Sequence, residues 1–388
     1  MKKKSVLSIS GMVFFLFLAF IPQVQAQEVL KIGGLMTTSG PAAHLGKICL
    51  NGIMLKVDEI NAKGGLMVDG KQYKIEFINY DDKCSAKDAV SATERLIQND
   101  KVPLIVGAIC SHCTLAAMEI TEKTKIPQVT PISSSVKITS MGYKYIFRTW
   151  SQAAIQAETI TRFAIQDLQL KKCAYIGRND AWSRSAADEF KKRMKLQGGE
   201  VVAMEFYEHG TTDFYPQLTK IKIAKPDFLY FCSLAEDGGM AVKQAREIGI
   251  TCPLMGTDEM GNEQIFRIAG GAIEGAYLYW TQGPKSAASA EYENRYKEKC
   301  GIKSISIDKG GYDTMGLVAD AIQRAGTVTD GEKIRVALTK TDYQGIRQRF
   351  RFEDNGQARI EMWLVKVKNK KVKFVKPMDV YKNPSAPL

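Results

Sequence analysis

Short apolar runs alternate with amphipathic stretches along most of the chain, and the two recur in a fixed order. "VLKIGGLM" reads as a strand, followed by a Gly/Ser/Pro loop and "LNGIMLKVDEINAKGG", whose apolar spacing predicts a helix stopped by glycines. "KQYKIEFINYDD" alternates in polarity as a strand does, and "SAKDAVSATERLIQND" opens on a serine suited to cap a helix. "VPLIVGAI" is wholly apolar, as expected of a strand covered on both faces of a parallel sheet. "HCTLAAMEITEKTK" then predicts a helix, and "IPQVTPI" and "YKYIFRTW" predict strands.

The alternation restarts after Trp150. A long helix through "AAIQAETITRFAIQDL" leads into strands "KCAYIG", "EVVAMEFY", "DFLYFCS" and "CPLMG", with helices between them. Two successive strand–helix series predict an α/β protein of two doubly wound parallel-sheet lobes. From "GPKSAASAEYENRYKEKCG" onward the chain is mainly helical, until Asp354-Asn355-Gly356 marks a hairpin turn in the last segment. Helices placed after the second series imply that the chain crosses between lobes more than once. The expected crossings lie near Arg148–Trp150, Tyr279–Gly283 and Phe352–Gln357. The expected lobes are 27–149 with 281–354, and 150–280 with 355–388.

The N-terminus adds a compartment. Lys2, Lys3 and Lys4 precede an uncharged apolar run from Val13 to Ile21, and Val24-Gln25-Ala26 supplies a small residue at a cleavage position. This is the pattern of a secretory signal peptide, residues 1–26, and the run is short for a membrane anchor. The mature chain is therefore expected to be periplasmic, soluble and without membrane insertion. A net charge of +12 could indicate nucleic acid, but the lysines are scattered and no stacking motif or recognition helix accompanies them. A solvated basic surface is the reading, with no nucleic-acid partner. Eight cysteines in an exported chain make disulfides plausible.

Chemistry is densest in "VGAICSHCT", where Cys110, Ser111, His112 and Cys113 are consecutive. A c-type haem site needs its histidine after the second cysteine. Zinc needs further ligands, and His44 and His209 are the only other histidines. Three readings remain from the residues alone: a Cys110–Cys113 redox pair, a Ser111 that merely caps a helix, and a Ser111 that grips a carboxylate beyond a strand end. "TPISSS" offers further hydroxyls past the next strand, and "MGTDEMGN" places Asp258 or Glu259 past the last strand of the second series. No G-x-S-x-G elbow, G-x-G-x-x-G turn or P-loop lysine is present, so no enzymatic machinery and no cofactor are expected.

The run "IGGLMTTSGPAAHLGKICLNGIMLKVDEINAKGG", with "YDDKCSAKDAV", "VGAICSHCT", "TPISSS", "FRT" and "DFLYFCSLAEDGGMAVKQAREIGITCPLMGTDEMGN", resembles the periplasmic leucine/isoleucine/valine-binding proteins of ABC importers. The resemblance covers nearly the whole mature chain. It implies two α/β lobes of the type I periplasmic binding fold, joined by three hinge crossings, with the ligand between them. It further implies a disulfide between Cys84 and Cys110. Ser111 would bind an amino acid's carboxylate, Ile132 would use its main chain, and Ser134 would offer a hydroxyl to the head group. Asp258 would neutralise the ammonium, and Trp182 would flank the ligand from the second lobe. Leu45, Leu234 and His112 stand where the family carries other pocket residues, and Leu45, Trp182 and Leu234 would give an apolar wall with no evident partner for a charged substituent. The expectation is a monomeric, non-enzymatic solute-binding protein that takes a small apolar amino acid, branched-chain or aromatic, and hands it to ABC permease subunits. The alternatives are a small carboxylate or amide lacking an α-amino group, and a periplasmic enzyme.

Overall fold

A computed structural model describes residues 28–387, so the predicted export signal and its cleavage point lie outside the described residues. The first sheet comprises β1 (Glu28–Leu35), β2 (Leu66–Val68), β3 (Lys71–Tyr80), β4 (Ile105–Gly107), β5 (Gln128–Thr130) and β6 (Ile146–Arg148), in the order β2-β3-β1-β4-β5-β6. All neighbours are parallel except β2 and β3. The second comprises β7 (Lys172–Arg178), β8 (Glu200–Tyr207), β9 (Phe228–Cys232), β10 (Leu254–Gly256) and β11 (Tyr277–Trp280). After a short pair, β12 (Tyr343–Gln344) with β13 (Arg349–Phe350), the edge is extended by β14 (Met362–Val367) and β15 (Val372–Met378). Its order is β15-β14-β11-β10-β9-β7-β8, parallel through β11 and antiparallel beyond. The protein is thus α/β, built as two parallel-rich lobes.

Local chemistry accounts for most elements. Ser85 caps the helix Ala86–Gln98 by accepting from the Asp88 N–H, as its position before an amphipathic run predicts. β4 and β5 are buried at every position, which matches their unbroken apolar sequences. The first helix starts at Ala43 rather than near Leu50, so Leu45 sits on a helix turn instead of a loop. Gly46 permits this, because a Cβ there would meet the Thr37 carbonyl oxygen at 1.7 Å. One sequence expectation is corrected nearby. Ser111 is the first residue of the helix Ser111–Thr124, and Cys110 occupies the capping position without a capping hydrogen bond from its side chain.

The chain leaves the first sheet at Arg148, leaves the β10–β11 edge at Trp280 for the helices Ala287–Cys300 and Ser306–Ala325, and turns again at Asp354–Gly356. There Arg148 pairs with Gln357, so the first and third of these segments run side by side. The Arg148 side chain is fully buried and, among the described residues, has no carboxylate partner. Its guanidinium donates to Gln357 Oε1 (2.6 Å), the Ser135 carbonyl (2.7 Å) and Thr139 Oγ1 (2.6 Å). Burial pulls its pKa down, since a desolvated cation is disfavoured even when its donors are satisfied. The largest buried cluster continues through this region, from Ile32 and Val106 past Trp150 to Tyr175 and Tyr230.

Candidate functional site

The carboxyl ends of both sheets face one pocket. From the first lobe it is lined by Leu45, Cys84, Cys110, Ser111, His112, Ile132 and Ser134. Trp182, Leu234 and Asp258 line it from the second. All eight residues singled out for ligand contact are thereby gathered in one place, although they span positions 45 to 258 of the chain. Their roles follow from the local bonding.

Ser111 opens a helix whose first-turn amides have no intrahelical acceptor, and the helix dipole favours an anion there. Its hydroxyl oxygen accepts from the Ser135 N–H at 3.2 Å, which leaves its proton for a ligand oxygen. Ser134 differs. Its hydroxyl donates to the Ile132 carbonyl (3.1 Å) and accepts from Gln156 Nε2 (3.2 Å), so its proton is already committed. Its free lone pair suits a ligand N–H better than a carboxylate. Of the two hydroxyls expected at the head group, Ser111 with its helix amides is the one that has a proton to donate.

Cys84 and Cys110 are joined by a disulfide with Cα atoms 5.6 Å apart, and His112 Nε2 donates to the Cys84 carbonyl at 2.8 Å. The redox-pair reading of Cys110 with Cys113 is corrected by this connectivity. Cys113 is a free, buried thiol, and desolvation together with the neighbouring Asp82 carboxylate pushes its pKa far up. A thiol held protonated is a poor nucleophile. Cys49, Cys173, Cys232, Cys252 and Cys300 are also unbonded. The grouping of Cys84, Cys110 and His112 offers no thiolate pair to a metal, because its two sulfurs are bonded to each other.

The second-lobe wall is more acidic than expected. Asp258 begins a 3₁₀ turn after β10, and its carboxylate accepts from Thr281 Oγ1 at 3.3 Å. Glu259 follows it, also buried, and among the described residues its Oε2 has no hydrogen-bond partner. Burial pushes both carboxyls well above their ordinary range, and the charge on Asp258 raises Glu259 further. Arg347 opposes this for Asp258; its guanidinium sits over the Trp150 ring and pairs with Asp313 at 3.2 Å. Both acids also line a wider groove that runs past His44, Trp280 and Lys309.

Glu259, offered by the sequence as the alternative to Asp258, lines the pocket beside it, whereas sequence reasoning missed Trp150 and Tyr279, assigned only to crossings, and Arg178 and Asp180. The last two also correct the expected apolar wall. Leu45, Trp182 and Leu234 do line the pocket, but a guanidinium and a carboxylate line it with them. The available signal was position, since Arg178 closes β7 as Asp258 follows β10, and parallel strand ends converge on the cleft.

Comparison with known proteins places this geometry. Residues 29–372 match the periplasmic binding protein family. The leucine-, isoleucine-, valine-, threonine- and alanine-binding protein of Pseudomonas aeruginosa is 29% identical over 345 residues, covering 88% of this chain and 90% of that protein. Among solved structures, the branched-chain amino acid transporter substrate binding protein of Streptococcus pneumoniae, in complex with isoleucine, is similar with a TM-score of 0.80 and 29% identity, over 90% of this chain and 100% of that one. A solute binding protein of an ABC transporter from Rhodopseudomonas palustris, in complex with 3,4-dihydroxybenzoic acid, has a TM-score of 0.81 and 26% identity, over 92% of this chain and 99% of that one. With two α/β lobes facing a shared pocket and a family match over nearly its whole described length, this chain belongs to the periplasmic binding protein family.

Proposed function

We propose that the protein is a non-enzymatic periplasmic receptor, cleaved after Ala26, that binds an α-amino acid between its lobes and delivers it as a monomer to ABC permease subunits. The lobes are 27–149 with 281–354, and 150–280 with 355–388. The observation that carries the reading is the opposition of Ser111, on a helix N-terminus of one lobe, and Asp258, on the other. An α-amino acid presents a carboxylate and an ammonium on one carbon, and these two groups complement it. Leu45, Trp182 and Leu234 then flank a largely apolar branched-chain or aromatic side chain. The amino acids named for the P. aeruginosa and S. pneumoniae proteins support this class.

Titration calorimetry against the amino acids tests the reading. Charge-assisted bonds are worth about 1.5–3 kcal/mol each, so Asp258→Ala should weaken binding by about tenfold or more. A second reading, a simple carboxylate ligand, is favoured by one observation: Asp258 and Glu259 are both pushed toward their neutral forms, which could donate an O–H to an acid. Tight binding of a benzoate, weakened by Asp258→Ala, together with weak binding of every α-amino acid would select it.

A further inference from the structure

Arg178 ends β7 as a buried residue, 6% exposed, and lines the pocket. Its Nε lies 3.4 Å from Asp180 Oδ2 and 3.9 Å from Asp237 Oδ2. Among the described residues, neither of its terminal Nη atoms makes a hydrogen bond. Asp180 lines the pocket too, and it caps the helix Ala181–Leu196 by accepting from the Ser183 N–H at 2.9 Å. Tyr207 and Ser233, at the ends of the flanking strands, are almost wholly buried behind it, where the Tyr207 hydroxyl faces both Ser233 and Asp237. The guanidinium thus meets the pocket from a buried polar cluster, with Asp180 the acid beside it at the pocket wall.

We infer that Arg178 and Asp180 form a specificity subsite for a neutral group that both accepts and donates, a hydroxyl or a carboxamide on the ligand's side chain. The inference rests on the cleft reading above and refines its substrate class. Arg178 would donate to the group's oxygen, and Asp180 would accept its proton. A carboxylate fits less well, because two acids already neighbour the guanidinium. Trp182, one turn into the same helix, supplies the apolar flank along which the rest of the side chain lies.

Isosteric pairs that differ by the polar group test this: valine with threonine, leucine with asparagine, and phenylalanine with tyrosine. Benzoate with 4-hydroxybenzoate repeats the comparison on a scaffold without an amino group. In calorimetry on the wild-type protein, the polar member of at least one pair should bind about tenfold or more tightly than its apolar partner, the scale of a bond to a charged donor. Arg178→Gln and Arg178→Lys should reduce that ratio to near unity. If neither variant folds, Asp180→Asn, which keeps a helix cap, should lower the ratio at least about threefold. A ratio below tenfold in every pair, or one that survives these substitutions, overturns the inference. Asp258→Ala in the same titrations separates it from the head-group reading: loss of the Asp258 effect rejects the α-amino acid, whereas the polar-to-apolar ratio alone judges Arg178.

Discussion

At the scale of single residues, two adjacent buried carboxyls dominate the pocket's electrostatics. Asp258 and Glu259 face Thr281, Arg347 and the buried phenols of Tyr230 and Tyr279, with Arg347 the cation that acts on Asp258. Their pKa values are raised in the folded protein, so the empty native state binds more protons than the unfolded chain once pH exceeds the ordinary carboxylate range. Its stability should therefore fall as pH rises through neutrality. An ammonium ligand favours the ionised form and reverses this. The ligand-induced rise in Tm should accordingly be larger at about pH 8 than at about pH 5. Thermal shifts with and without ligand across that range check it; an equal rise at both ends would mean the acids do not meet the ligand's cation.

At the scale of elements, the pocket-lining loops that carry Ser111 and Ser134 are tied down from behind. The Ser133–Ser135 turn that positions Ser134 is held by Arg148, which bonds the Ser133 and Ser135 carbonyls and Gln357 together. Arg148→Lys cannot reproduce a planar fork and leaves buried acceptors unpaired, so it should destabilise the fold by about 1–3 kcal/mol and loosen ligand binding with it. Denaturant melts and calorimetry on one preparation measure both. The Cys84–Cys110 bond anchors the start of the Ser111 helix and closes a loop with a sequence separation of 26. On the chain-entropy description, reduction should cost about 3 kcal/mol. Peptide mapping without reductant should recover the two cysteines as one cross-linked species.

At the scale of the whole molecule, the proposed ligand would have its opposite charges met by opposite lobes. Contacts that join the lobes only when the ligand is present favour closure, and the rigid-body motion should fall on the few connecting segments. The bridge between Arg148 and Gln357 binds two of those segments to each other, which suits rotation of one lobe as a unit. Small-angle scattering should show a smaller radius of gyration at saturating ligand than in its absence; an unchanged profile would argue against a closing receptor.

Much of this architecture is legible in the sequence because it depends on local periodicity. Apolar runs such as "VPLIVGAI" and "DFLYFCS" can bury both faces only in a parallel sheet, and their restart after Trp150 requires a second lobe. The position of Ser111 and Asp258 beyond strand ends is likewise a matter of order along the chain. The resemblance to a family, more than spacing, indicated which cysteine Cys110 would meet. What only the tertiary structure decided concerns burial and pairing across long separations. No local pattern in "GRNDAW" or "TDEMGN" records burial, yet Arg178 and Glu259 are buried against the cleft because strand ends converge there. Whether the Ser134 proton is free depends on Ile132 and Gln156, the latter 22 residues away in a helix beyond the crossing. Hydrophobic spacing records how each segment buries its own apolar face; it carries no record of which polar groups are left facing one another once two lobes enclose a pocket.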